Sequence, residues 1–74
     1  MKASELHVGD KAVISKVEDG QLALKLMEMG CFEGEKIEVK FRSPLGDPIA
    51  FEISGYYHLG LRKEEADLLD VMLI

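Results

Sequence analysis

The sequence predicts a small all-β barrel of five strands, with a short α-helix inserted after the first strand and a helical turn before the last. Three observations lead there. The segments starting at Lys36, Ile49 and Tyr57 alternate apolar and polar residues, the pattern of antiparallel strands with one wet face. Gln21 to Met29 switches to helical spacing. The chain has 74 residues, 47% of them hydrophobic, which supplies one core and no second one. Residues 1–74 are therefore read as a single domain.

Lys11 to Val17 is rich in β-branched residues and bounded by Gly9-Asp10 and Asp19-Gly20, which marks a first strand. In the helix that follows, Leu22, Leu26 and Met29 fall on one line at 100° per residue, with Ala23 and Met27 beside it. Gln21, Lys25 and Glu28 lie opposite, and Leu24 points with them. Gly30 suits the left-handed residue that ends a helix, which places Cys31 one step on, against Leu26. Phe32 is expected to pack into the barrel.

In Lys36 to Arg42, Ile37, Val39 and Phe41 should face the core, with Lys36, Glu38, Lys40 and Arg42 toward water. Ile49, Phe51 and Ile53 should point inward from Ile49 to Ser54, and Tyr57, Leu59 and Leu61 from Tyr57 to Arg62. Pro44 and Gly46 set a turn between the first two of these strands. Lys63-Glu64-Glu65-Ala66 reads as one helical turn whose glutamates favour the helix dipole. Asp70 to Ile74 is the last strand. A sheet this small buries its apolar face best by curling, and an SH3-like barrel is the economical solution.

Charge narrows the function. Nine Lys and Arg stand against fourteen Asp and Glu, net −5, and the basic residues are scattered singly. Nucleic-acid binding draws on clustered cations, so no nucleic-acid partner is expected. No apolar run approaches the roughly 20 residues that cross a bilayer, and Met1 to Glu5 lacks a leader's apolar core; the cytoplasm is the expected compartment. The exposed edges of a small sheet leave self-association open.

The chemical inventory is thin. One cysteine excludes an internal disulfide. His7, His58 and Cys31 share no metal-ligand spacing, so no metal or cofactor is assigned. No nucleophile–base pair can be argued, and Glu64-Glu65 is explained as a helix start, so no enzyme is expected. Gly46-Asp47-Pro48 is a turn without the glycine cradle of a phosphate loop. Two features point to protein binding instead. Leu24, rimmed by Lys25 and Glu28, is an apolar anchor on a polar face. Leu45, with Asp47 beside it, tips a loop, where recognition commonly sits.

Leu26 with Met29-Gly30, Gly34, Pro44-Leu45-Gly46-Asp47-Pro48-Ile49, and Leu59-x-Leu61-Arg62-x-x-Glu65-Ala66 occur in an order and spacing that resembles the FeoA family. These are small cytoplasmic accessory proteins of bacterial ferrous iron transport. The similarity runs from about Leu6 to Val71. It implies an SH3-like barrel with an inserted helix, in a family for which no activity of its own is established. It also implies a partner, the FeoB membrane permease, met at its cytoplasmic G-protein domain. The same module closes metal-dependent repressors of the diphtheria-toxin-regulator type, so the alternative is a free-standing relative of that domain, binding a transition metal or a regulatory partner. Two positions depart from the family pattern: Ala23 replaces a basic residue, and Glu33 a proline. From their place on the helix face and the loop tip, and not from the resemblance, Leu24, Lys25 and Glu28 on the helix and Leu45 and Asp47 on the turn are the expected partner-binding residues.

Overall fold

The computed structural model describes residues 1–74. Its elements are a 3-10 turn (Ala3–Glu5), β1 (Lys11–Val17), α1 (Gln21–Glu28), β2 (Lys36–Arg42), β3 (Ile49–Ile53), β4 (Tyr57–Leu61), α2 (Lys63–Ala66) and β5 (Leu69–Leu73). The strands form one antiparallel sheet in the order β4-β3-β2-β1-β5. The last strand returns beside the first, so β4 and β5 are its edges. They do not pair, so the five strands of the expected barrel form an unclosed sheet. The apolar face is buried without closure because other segments cover it. Leu26 of α1, Ala3 of the 3-10 turn, Leu6, Cys31 and Ala66 share one core with Ile14, Val39, Phe51, Leu61 and Leu69.

The helix ends as its glycine dictates. Gly30 adopts φ +98°; its N–H donates to the Met27 carbonyl and the Cys31 N–H to that of Leu26, both at 3.0 Å. This pair of bonds satisfies carbonyls that a helix end leaves free and carries Cys31 into the core. Phe32, next along, stays half-exposed instead of packing inward, since the chain turns there to reach β2.

Strand β2 corrects the alternation. Its register with β3 shifts between Val39 and Phe41, and the extra residue of a bulge flips every later side chain to the other face. Phe41, expected inside, is exposed. Arg42, expected in water, comes to the covered side opposite Ile49. Its guanidinium donates to the Ser4 and Leu6 carbonyls, each at 2.8 Å. That anchors the end of the 3-10 turn, an element the sequence pattern did not reveal. Tyr57, also expected inside, is 40% exposed, because it sits at the end of an edge strand. No helix is long and apolar enough to cross a membrane.

Candidate functional site

The segments singled out for recognition meet around one cleft of about 340 Å³, lined by Lys25, Met29, Pro48, Gly60, Arg62 and Glu65. Three parts of the chain build it: α1, the turn between β2 and β3, and the junction of β4 with α2. Each is tied to the next by a charged side chain.

Glu65 forms the floor. It is buried, and its Oε1 accepts the Arg62 N–H at 2.8 Å, a reciprocal contact that satisfies the backbone preceding a helix. Its Oε2 accepts from Lys25 Nζ at 3.0 Å. The Arg62 N–H is the main cause that holds this carboxyl below its ordinary 4.5, with Lys25 adding to it against the opposing effect of burial. Glu65 is thus more than a residue suited to the helix dipole, because it joins α1 to α2. Behind it, burial first and the Glu65 charge second push the Cys31 thiol up to about 11.

Asp47 ties the turn to the same corner. Its Oδ1 accepts the Lys63 N–H at 2.8 Å, one of the free donors at the start of α2. Its Oδ2 lies 3.8 Å from Arg62. The tip of that turn is left in solvent, with Leu45 93% exposed.

Of the expected recognition residues, Lys25 lines the cleft and Asp47 stands next to Pro48 at its rim. Both are engaged internally. Leu24 is 64% exposed and Glu28 is exposed on the same helix, but neither they nor Leu45 line the cleft. Arg62 and Glu65 complete it. Both belong to the Leu59-to-Ala66 motif, but no spacing rule revealed that their side chains bridge elements.

The two histidines stay apart from one another, each beside a carboxylate. His7 lies 3.7 Å from Asp10, and His58 lies 3.4 Å from Glu52. No three His, Cys, Asp or Glu side chains converge to hold a metal ion. A smaller cleft of about 230 Å³ between Lys11, Lys36, Glu38, Glu52 and Ser54 carries both signs of charge.

An open antiparallel sheet with this strand order is an SH3-like domain. The chain overlays on a manganese-dependent transcriptional repressor with a TM-score of 0.92 over its full length and 36% of the repressor, at 16% identity; that likeness shows the fold alone. The chain belongs to the FeoA family, since a profile of the FeoA domain matches residues 1–73. It is 43% identical, over its whole length, to part of a Porphyromonas gingivalis protein, the Fe(2+) transport protein A/Fe(2+) transporter FeoB fusion protein. The solution structure of iron(II) transport protein A from Clostridium thermocellum matches the whole chain at 45% identity and a TM-score of 0.92. The chain spans 9% of the former and 46% of the latter. FeoA of Stenotrophomonas maltophilia, crystallised with zinc and described as a procaryotic SH3 domain protein, matches 97% of the chain and 89% of its own length. Its identity is 30% and its TM-score 0.85.

Proposed function

We propose that this chain is a non-catalytic accessory protein of ferrous iron uptake. It acts as one unit in the cytoplasm, binding the G-protein domain of an FeoB-type membrane permease and modulating it. The observation that carries this reading is the Porphyromonas gingivalis protein, in which a domain 43% identical to the full chain is fused to the transporter FeoB. Fusion holds two partners at high effective concentration, an arrangement that favours domains which work on each other.

The contact surface in this reading is the exposed side of α1 together with the turn between β2 and β3. Leu24 and Leu45 are the apolar anchors, both largely exposed. Lys25 and Glu28 accompany Leu24 on the helix and Asp47 accompanies Leu45 on the turn, and the Lys25–Glu65 and Asp47–Lys63 bonds tie helix and turn to α2. A pre-formed surface loses little side-chain freedom on binding.

Pull-down with the isolated G domain tests the proposal, using the parent chain, Leu24→Asp and Leu45→Asp. The parent is expected to be retained and both variants lost, with melting temperatures unchanged. No capture of the parent, or equal capture of all three, refutes the assigned domain or the assigned surface respectively.

A further inference from the structure

Gly60 has no reason within the fold to be glycine. The other six glycines all hold a positive φ, which a side chain would strain. Gly60 lies inside β4 without one, and a Cβ added there would meet no atom within 4 Å. Glycine in a strand interior weakens the strand, and it commonly marks a bulge or a place where a ligand or another backbone comes close. The register of β4 with β3 runs without a shift, so no bulge accounts for it. Gly60 instead lines the cleft that α1, Pro48, Arg62 and Glu65 enclose.

The Gly60 backbone is open to that cleft. Antiparallel strands alternate the direction of their N–H and C=O groups. Val39 bonds Gly9 and Asp10 with its own, so its partner Phe51 turns toward β4, and Leu59 turns back toward β3. Gly60, next along, therefore points both groups out of the sheet, as does Arg62, whose N–H bonds Glu65. β4 is a sheet edge, and no other segment bonds Gly60.

Side-chain donors stand beside it. Lys25 Nζ gives one N–H to Glu65 at 3.0 Å and keeps the others free. The Arg62 guanidinium is 70% exposed and lies 3.8 Å from Asp47, an ion pair too long for a hydrogen bond. Both Glu65 oxygens are already engaged. The carbonyls of Met29 and Pro48 already accept from Tyr57 and Ser43. The cleft is thus rich in free donors, two of them on cations.

We propose that this cleft is a docking site for an extended segment of a protein partner that carries an aspartate or a glutamate. The segment's backbone pairs with the N–H and C=O of Gly60, and its carboxylate is taken by Arg62 and Lys25. Main-chain bonds at a strand edge supply affinity while a neighbouring pocket reads a side chain, and cation-to-carboxylate bonds are the stronger kind. A chain-terminal carboxylate is the poorer occupant, because Gly60 offers a donor and an acceptor together and a passing backbone uses both. Leu24 and Leu45 do not line this cleft, so the site is separate from the surface argued above and does not depend on that partner.

Amide NMR of the isotope-labelled chain tests it, with three synthetic peptides of alternating valine and threonine. One has a central glutamate and both ends blocked, the second a glutamine in its place, and the third a free carboxyl end with no acidic residue. The Gly60 amide signal is expected to move with the glutamate peptide, and the glutamine peptide to bind about tenfold more weakly, the scale of a lost charge-assisted hydrogen bond. Gly60→Val should melt no lower than the parent and lose binding. Arg62→Gln keeps the backbone N–H to Glu65, so it keeps the test open if valine disturbs the strand; it should bind the glutamate peptide as weakly as the parent binds the glutamine one. Leu24→Asp should bind like the parent. No movement at Gly60, or equal binding by the parent and both cleft variants, overturns the site. Equal affinity for the glutamate and glutamine peptides refutes the carboxylate, and tighter binding of the free-ended peptide makes the occupant a chain end and defeats the proposal.

Discussion

The Tyr57 hydroxyl donates to the Met29 carbonyl at 3.0 Å and lies directly over Gly30, where an added Cβ would stand 1.5 Å from it. The end of α1 is therefore docked on the edge strand β4 by a contact that only glycine permits. Gly30 also holds φ +98°, which L side chains rarely adopt.

Gly30→Ala should destabilise the fold by about 2 kcal/mol or more, from backbone strain and the clash together. Chemical denaturation measures it. Placed in a Tyr57→Phe background, the same substitution should cost less, because the closest atom is gone. Equal costs in both backgrounds would place the whole effect in the backbone conformation.

Acid should unfold the protein through specific carboxylates. Folding lowers Glu65, chiefly through the Arg62 N–H, Asp67 through the Ser4 hydroxyl, and Asp70 through Lys2. A group with a depressed folded value stabilises above its unfolded value and loses that stabilisation as pH falls through the folded one. Stability should hold down to the ordinary values of 4.5 and 3.8 and fall steadily below them. Urea midpoints across pH show it. Glu65→Gln should lower stability at neutral pH by about 1 kcal/mol and flatten the acid limb.

Arg42→Met should cost about 1–3 kcal/mol, since it strips two carbonyls of a charged donor while keeping most of the aliphatic stem. The loss should appear first as faster amide exchange at Leu6, whose N–H bonds within the 3-10 turn. A variant as stable as the parent would show that water replaces the guanidinium at no cost.

The Cys31 thiol is fully buried and pushed up to about 11, so it should resist a thiol-specific reagent at pH 8 until the protein unfolds. Burial is the larger cause; Glu65→Gln should therefore leave the labelling rate nearly unchanged. A large increase would reverse that order.

Leu26→Asp should cost several kcal/mol, by burying an unpaired carboxylate or expelling the helix. Leu26 is wholly inside, so a melting temperature within about one degree of the parent would contradict the inward face of α1, a shift of one kcal/mol being worth several degrees in a domain this size.

Features that depend on near neighbours were legible in the order of residues. Ile49, Phe51 and Ile53 alternate without interruption and are all buried. Gly30 ends α1 because its backbone freedom is intrinsic. The exposure of Leu24 follows from a 100° turn per residue. Tertiary structure alone decided what depends on distant partners. Nothing between Lys36 and Arg42 announces the bulge that sends Phe41 outward and Arg42 to Ser4 and Leu6, because its register is set by pairing with β3. Glu65 reads as a surface acid until α1 brings Lys25 to it, and Asp47 as a turn residue until α2 starts beside it. Whether the sheet closes was also beyond the pattern. Periodicity specifies which face is apolar, but what covers that face depends on where the helices and the first six residues come to rest.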